Sequence, residues 1–243
     1  MKRLLAAILT LALGTLGVRA ETVHVAVAAN FAVVVEELAP LFTAATGHEV
    51  TYSFGATGQL YTQALQGAPY EVLLAADDER PSRAVADGIG IEGSIFTYAV
   101  GALALYSASL DPSDGAAVLA GGGFDTLAIA DPATAPYGRA AIETLTALGL
   151  LDAVTPKVVT GQSITQTLQF VETGNAELGF VALSQVLGKE GVWLVPEALY
   201  QPIRQDAVLL VNGKDKPAAA AFMSFLRSAE AVQVIEAAGY TVP

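Results

Sequence analysis

Residues 23–45 carry the pattern that decides the fold, and they read VHVAVAANFAVVVEELAPLFTAA. Residues 23–29 are rich in β-branched side chains and predict a strand, whereas residues 31–45 repeat apolar side chains at helical spacing and predict a helix. Gly47 stands where a helix commonly ends. Only Asn30 separates the two patterns, so we expect the strand to turn directly into the helix.

Strand and helix patterns continue to alternate along the rest of the chain. Strands are predicted over residues 50–54, 72–76, 98–106, 127–130, 158–159, 178–183 and 207–211, and helices over residues 59–65, 80–87, 140–148, 165–172 and 217–238. A passage rich in proline and glycine, residues 111–123, interrupts the alternation. The alternation predicts an α/β fold in which helices flank largely parallel sheets.

The break in the pattern near the middle of the chain predicts two domains. A crossing near residues 98–101 and a second near residues 202–206 would make the first domain discontinuous. We therefore expect lobe I to comprise residues 21–98 and 206–243, and lobe II to comprise residues 99–205, with two hinge crossings between them. A ligand is expected in the crevice at the carboxyl ends of the strands.

The first 20 residues are typical of a cleaved export signal. Lys2 and Arg3 form a short basic segment, residues 4–16 are apolar, and residues 18–20 offer a small-residue cleavage site. The alternative is an N-terminal membrane anchor, but the apolar run is shorter than the ~20 residues that a bilayer requires. The sequence has no cysteine, which excludes a lipid-anchored lipoprotein and disulfide bonds. We expect a mature periplasmic protein that begins at Glu21.

The charge balance excludes some partners and constrains the kind of ligand site. Without residues 1–20 the chain keeps 9 basic and 24 acidic residues, a formal charge of −15. No basic patch is present to neutralise nucleic-acid phosphates. A negative protein also does not attract anions from a distance. Any anion site must therefore act locally, through hydrogen bonds and dipoles.

Four places share one local design, in which a strand ends, a small or polar residue turns the chain, and a helix begins. These turns are residues 28–31, 54–58, 135–138 and 161–164. The first N–H groups of a helix have no partner inside the helix and carry partial positive charge, so they can bind an anion without lysine or arginine.

Polar side chains at these turns could add further donors. Asn30 offers a side-chain amide and Thr57 a hydroxyl. Ser163 and Gln166 fit a capping box in which each side chain accepts the main-chain N–H of the other, which leaves the N–H of Ile164 available to an anion. The alternative for Asn30, Thr57 and Ser163 is ordinary helix capping without a ligand.

At these turns the chain resembles the periplasmic molybdate-binding proteins (ModA-type) of the type II solute-binding protein family of ABC importers. The resemblance spans essentially the whole mature chain, and it is carried by residues 25–30, 53–60, 131–141 and 178–185. The Asp-Pro-x-x-x-Pro-Tyr-Gly segment, residues 131–138, is the most specific of these. The resemblance implies a two-lobed fold with mixed, mainly parallel sheets, and a tetrahedral oxyanion held by neutral donors.

The resemblance also implies which residues contact the anion. Asn30 stands where the family has Ser or Asn, and Thr57 stands where it usually has Ser. Tyr137 and Ile164 would contribute main-chain N–H groups. Two departures weaken the match: Ala29 replaces a hydroxyl residue of some members, and Ala182 replaces a tyrosine of others. The effect of these departures on affinity stays open.

Other charged and titratable residues have simpler interpretations. Residues 77–79, Asp-Asp-Glu, could hold a divalent cation, but acidic residues in a first helical turn are more common. Neither His24 nor His48 has a second histidine or a cysteine at metal-ligand spacing. Arg139 could add charge to the anion site or lie on a solvated helix face. The tyrosines other than Tyr137 are interpreted as packing residues.

The sequence therefore predicts a binding protein rather than an enzyme, because no nucleophile–base arrangement is evident. We expect a monomer that captures molybdate or tungstate, needs no cofactor or bare metal ion, binds no nucleic acid, and delivers its ligand to the membrane permease of an ABC importer. The alternatives are a binding protein for sulfate, phosphate or an organic acid, a secreted hydrolase, and a sensory ligand-binding domain.

Overall fold

The opening strand pattern forms the second strand of a five-stranded sheet in the computed structural model, which describes residues 20–243. The first sheet has the order β2 (Glu49–Gly55), β1 (Thr22–Ala28), β3 (Val72–Leu74), β10 (Ile203–Leu209) and β4 (Phe96–Gly101). β1 pairs in parallel with β2 and β3, whereas β10 runs antiparallel to β3 and β4. The predicted signal segment lies, apart from Ala20, outside the described residues.

The second sheet has the same number of strands and the same mixed character. Its order is β7 (Val158–Gly161), β6 (Leu127–Ala130), β8 (Leu178–Ala182), β5 (Leu103–Tyr106) and β9 (Val192–Leu194). β6 pairs in parallel with β7 and β8, and β5 runs antiparallel to β8 and β9. The predicted fold class, two mixed sheets with parallel pairs and flanking helices, is confirmed.

Ten α-helices connect and cover these sheets within the described residues. They are α1 (Ala32–Thr46), α2 (Thr57–Leu65), α3 (Glu79–Ala86), α4 (Gly115–Gly121), α5 (Pro136–Ala147), α6 (Leu151–Val154), α7 (Ile164–Glu172), α8 (Leu183–Val186), α9 (Pro217–Phe225) and α10 (Ala229–Ala237). α1 ends as expected at Gly47, whose φ of 72° is left-handed and whose N–H donates to the Thr43 carbonyl.

Apolar side chains of α1, α9 and α10 cover one face of the first sheet. Phe42 of α1 lies edge-to-face against Phe222 and Phe225 of α9, with ring centroids 5.3 and 5.6 Å away. Phe42 and Phe222 are fully buried, and each such side chain contributes about 1.5–3 kcal/mol of hydrophobic stabilisation. This packing anchors the end of the chain to its beginning.

The structure corrects two predictions near the middle of the chain. Residues 98–106 were predicted as one strand, but they divide at Ala102, because β4 pairs with β10 in the first sheet and β5 pairs with β8 in the second. The proline- and glycine-rich passage contains α4, which Asp114 caps by accepting the N–H of Ala117 at 3.1 Å.

Two further predictions are wrong near the end of the chain. The strand predicted to begin at residue 207 begins at Ile203. The helix predicted over residues 217–238 is broken, because the Ser228 hydroxyl accepts the N–H of Ala231 and starts α10 in a new direction. Among residues 20–243 no single helix is long and apolar enough to cross a membrane; α9 and α10 reach that length only together, bent by 59°.

Strand register places the four predicted turns side by side. In the first sheet Ala28 lies opposite Gly55, so β1 and β2 end level. In the second sheet Ala130 lies opposite Gly161, so β6 and β7 also end level. Each sheet therefore presents two neighbouring turns at the carboxyl ends of adjacent parallel strands.

Close backbone packing at Gly138 positions α5 against the end of β6. A Cβ atom at Gly138 would lie 2.1 Å from the Ala130 carbonyl oxygen. No side-chain rotation relieves a clash between a Cβ and a main-chain atom, so Gly138→Ala is expected to reduce the free energy of unfolding by about 1–3 kcal/mol or more. Denaturant unfolding measures this change.

The matched control is Gly121→Ala in α4, where a Cβ would have no neighbour within 4 Å. There the substitution is expected to leave stability unchanged or to raise it by about 0.4–1 kcal/mol, since alanine restricts the unfolded chain. Equal unfolding midpoints for Gly138→Ala and the unmodified protein would contradict the close packing at this helix start.

Candidate functional site

The four turns line one small cavity between the two sheets. Its lining comes from the ends of β1 and β2, the second residue after β3, and the starts of α2, α5 and α7. The lining residues are Ala28, Ala29, Asn30, Gly55, Ala56, Thr57, Ala76, Ala135, Pro136, Tyr137 and Ile164. All four residues predicted to contact an anion are among them, and each is at most 4% exposed.

Three residues of the cavity lining stand at helix starts. Thr57 is the first residue of α2, Tyr137 the second of α5, and Ile164 the first of α7. N–H groups at these positions have no partner inside their helices and lie at the positive end of the helix dipole. Among residues 20–243, no lysine or arginine lines the cavity, so an anion placed there would depend on neutral donors.

The hydroxyl of Thr57 is oriented by the neighbouring strand. Its Oγ1 accepts the main-chain N–H of Ala76 at 2.9 Å, which leaves the hydroxyl hydrogen available for donation. The N-cap of α2 is Ala56, and no side chain caps this helix. The capping alternative for Thr57 is therefore wrong.

The side chain of Asn30 contacts the protein rather than offering a vacant donor. Its Nδ2 donates to Gln205 Oε1 at 2.9 Å and to the Tyr240 hydroxyl at 3.0 Å. Asn30 lies in a short 3₁₀ turn, Ala29–Phe31, and makes no capping bond to a helix. The capping alternative for Asn30 is therefore wrong. Both hydrogens of its side-chain amide have protein partners, which leaves the main-chain N–H of Asn30 as its candidate donor to a ligand.

Ser163 caps α7 largely as predicted, with one difference. Its Oγ accepts the N–H of Gln166 at 3.3 Å. The Gln166 side chain, however, accepts the N–H of Gln162 at 2.6 Å rather than that of Ser163. The reciprocal bond thus reaches one residue further back and holds the chain as it enters the turn before Ile164.

Arg139 does not line the cavity. Its guanidinium lies 3.8 Å from Asp77 and 3.5 Å from Glu79, which belong to the segment after β3. Arg80 pairs with Asp77 at 2.8 Å and also donates to the Ala133 carbonyl at 3.1 Å. This ionic cluster joins the segment after β3 to the segment after β6, and it pairs the charge of Arg139 with two carboxylates.

Arg80 and Arg139 pair with acidic side chains of the segment after β3. Burial raises the pKa of Asp77, and the adjacent Arg80 and Arg139 oppose that rise. Residues 20–243 contain no group of three or more histidine, cysteine or acidic side chains that could hold a metal ion. The carboxylates of Asp77 and Glu79 are instead paired with guanidinium groups.

The two alanine departures lie in different places. Ala29 lines the cavity and presents a methyl group there, while its carbonyl accepts the Thr165 hydroxyl at 3.2 Å. Ala182 ends β8 and is fully buried outside the cavity lining. Alanine therefore supplies no hydroxyl donor to the cavity wall at position 29, and Ala182 is not itself part of that wall.

A buried network of side chains behind the cavity was missed by the sequence analysis. Gln205 contacts Asn30, Tyr98 and Tyr137, with distances of 2.9, 3.1 and 3.2 Å. The Tyr240 hydroxyl donates to the Asn30 carbonyl at 2.9 Å. The interpretation of all tyrosines except Tyr137 as packing residues is therefore wrong for Tyr98 and Tyr240, whose hydroxyls belong to this network.

The hydroxyls of this network stay protonated at neutral pH. Burial raises the pKa of Tyr240 to about 12, and it raises the pKa of Tyr98 and Tyr137 well above the ordinary value. A neutral hydroxyl can donate and accept at once, which lets the Tyr240 hydroxyl accept from Asn30 Nδ2 and donate to the Asn30 carbonyl. Sequence offers no signal for the network, because Tyr240 is 210 residues away from Asn30.

Comparison with known proteins agrees with this geometry. Residues 23–241 match a family described as bacterial extracellular solute-binding protein. The molybdate-binding protein ModA of Rhodobacter capsulatus is 52% identical over 88% of this chain and 86% of its own length. ModA of Azotobacter vinelandii is 52% identical over 91% of this chain and 90% of its own length.

A solved structure shows the same fold. The periplasmic molybdate-binding protein of Azotobacter vinelandii superposes with a TM-score of 0.88 and 40% identity, covering 91% of this chain and 99% of that one. The family match, the two relatives and the shared architecture all extend over nearly the whole described chain. The chain therefore belongs to the family of bacterial extracellular solute-binding proteins, whose members bind ligands and are not enzymes.

Proposed function

We propose that this protein captures molybdate or tungstate as the intact oxyanion and delivers it to the membrane permease of an ABC importer. The observation that carries the proposal is the convergence of helix starts from both sheets on one cavity without lysine or arginine. The names of the Rhodobacter and Azotobacter relatives, both molybdate-binding proteins, support the choice of ligand. The contacts would come from Thr57 and from the main-chain N–H groups of Asn30, Tyr137 and Ile164.

Neutral donors suit a ligand that must be bound and then released. Hydrogen bonds to an ionised group are stronger than those between neutral groups, and a water-poor site strengthens them further. Several N–H groups can therefore hold a dianion that has left water. They leave no fixed positive charge that would retain the anion after the site opens.

Capture requires the two halves of the molecule to separate and close. The cavity measures about 10 Å³, about the room that one water molecule needs, so a five-atom oxyanion cannot enter without movement of its walls. Contacts across the gap include the Gly58 N–H donating to the Thr134 carbonyl at 2.9 Å. An anion that contacts both walls favours the closed form through that differential contact.

The moving halves are proposed to be the two lobes. The expected boundaries, with lobe I as residues 21–98 and 206–243, cut through β4 and β10. Both strands belong entirely to the first sheet. We therefore propose that the chain first crosses from lobe I to lobe II at Ala102, slightly later than expected. It would cross back within residues 195–202, slightly earlier than expected.

We further propose that the protein is exported to the periplasm, with cleavage after Ala20, and that it functions as a monomer. The family description as an extracellular protein supports an exported location. Sulfate and phosphate are the competing ligands.

Thr57→Val is expected to weaken molybdate and tungstate binding by about 10- to 100-fold, since a hydrogen bond to a charged group contributes about 1.5–3 kcal/mol. Valine keeps the shape of the side chain and removes the hydroxyl. Isothermal titration calorimetry measures the affinity, and thermal unfolding without ligand measures stability.

Thr57→Ser is the matched control, because it keeps the hydroxyl and should retain affinity within a few-fold. Unchanged affinity in Thr57→Val, together with a lowered melting temperature, would assign Thr57 to the support of Ala76 alone.

Titration with four oxyanions is expected to rank molybdate and tungstate above sulfate, and phosphate last. Phosphate keeps a proton at neutral pH, and a wall made of donors offers that proton no acceptor, so a buried polar group is left unpaired. Calorimetry at neutral pH with equal concentrations of the four anions makes the comparison. Tight binding of sulfate or phosphate, with no heat from molybdate, would reject the proposed ligand.

Arg139→Gln is expected to change oxyanion affinity by less than about fivefold, because an exposed ion pair contributes about 0–1 kcal/mol. Its guanidinium is 43% exposed and faces Asp77 and Glu79. A loss of 100-fold or more would place Arg139 on the anion after all. Competition binding at low and high salt measures the change and removes screening as an explanation.

A further inference from the structure

The fully buried side chain of Gln205 lies where the two sheets meet behind the cavity. It sits on β10, at the point where the pairing of β10 with β4 shifts register between Gln205 and Asp206. Such irregularities re-aim side chains. Here the carboxamide contacts Asn30 and Tyr137, two residues of the cavity lining.

Gln205 joins one proposed anion contact from each sheet. Its Oε1 accepts from Asn30 Nδ2 at 2.9 Å, and its Nε2 donates to the Tyr137 hydroxyl at 3.2 Å. Asn30 follows β1 of the first sheet, whereas Tyr137 begins α5 beside the second. One amide group, with its oxygen and nitrogen directed to opposite sides, therefore spans both walls.

Two further residues adjoin this amide. The Tyr98 hydroxyl shares its one hydrogen between two acceptors, Gln205 Oε1 at 3.1 Å and the Ala75 carbonyl at 3.0 Å. Gly101 leaves the space that the contact with Tyr137 needs, since a Cβ there would lie 2.0 Å from the Tyr137 hydroxyl and 2.6 Å from Gln205 Nε2.

We propose that Gln205 is a positioning residue for oxyanion binding: it sets the spacing between the turn at Asn30 and the start of α5 without touching the anion. This inference rests on the proposed function. The Tyr137 hydroxyl contacts Gln205, while the main-chain N–H of Tyr137 lies at the start of α5. The bond between them therefore ties an anion-binding N–H of one wall to the other wall.

The hydrogen bond between Gln205 and Tyr137 should contribute to ligand affinity as well as to folding stability. If a bond forms fully only when the walls are correctly placed, its loss lowers the population of the binding-competent form, and apparent affinity falls by the same fraction. A residue with a purely structural role would change the melting temperature and leave the affinity of the folded protein unaltered.

The test compares Tyr137→Phe, Gln205→Met and the double variant by calorimetry with molybdate and tungstate, using protein exported from the full-length chain. Tyr137→Phe is expected to weaken binding by about three- to tenfold, the range for one neutral hydrogen bond. Gln205→Met is expected to weaken binding at least as much, because it also removes the bonds with Asn30 and Tyr98. The double variant is expected to bind about as weakly as Gln205→Met, because the bond that Tyr137→Phe deletes is already absent there.

Tyr52→Phe is the matched control. It deletes a hydroxyl whose partner, the Val35 carbonyl at 2.9 Å, lies in the same half of the molecule, and it should leave affinity unchanged. Three results would each overturn the role of Gln205. They are unchanged affinity in Tyr137→Phe, an equal loss of affinity in Tyr52→Phe, and additive losses of affinity in the double variant.

Two further outcomes keep the test decisive. If Gln205→Met does not fold, the comparison of Tyr137→Phe with Tyr52→Phe decides alone, and an affinity loss confined to Tyr137→Phe supports the proposal. If the unmodified protein binds none of the four oxyanions, the proposed function fails. Binding by the unmodified protein with no loss in Tyr137→Phe removes only the positioning role.

Discussion

Unpaired N–H groups at helix starts are the constraint on which the site depends. Every helix leaves its first four N–H groups without internal partners, and a folded protein must satisfy them with water, with side chains or with a ligand. Here α2, α5 and α7 begin at a single cavity. Level strand ends in each sheet bring the turns together, so the same register that builds the sheets also builds the proposed anion site.

Charge is distributed so that it does not compete with these dipoles. The arginines nearest the cavity, Arg80 and Arg139, are paired with Asp77 and Glu79. A strongly acidic protein can therefore offer a locally favourable position to an anion, because short hydrogen bonds dominate where water is excluded. Long-range repulsion from the net charge is screened by salt over about 10 Å.

The cavity wall and its support follow different chemical rules. Alanine and glycine make up more than half of the wall residues, the others stand at the turns and helix starts, and Thr57 supplies a hydroxyl held by Ala76. Behind it, Asn30, Gln205 and the buried tyrosines form a polar network that links both sheets. Small residues let the backbone approach the ligand position, while the network behind them restricts how the walls can move.

The sequence by itself determined the α/β alternation, the strand-to-helix turns and the family, because hydrophobic period, glycine and proline positions, and local motifs act over a few residues. Tertiary structure alone decided that the chain changes sheet at Ala102, that Asn30 donates to Gln205 and Tyr240, and that Arg139 faces Asp77. These outcomes depend on side chains that are 60 to 210 positions apart along the chain. No local pattern specifies such contacts, since they exist only once both sheets have packed.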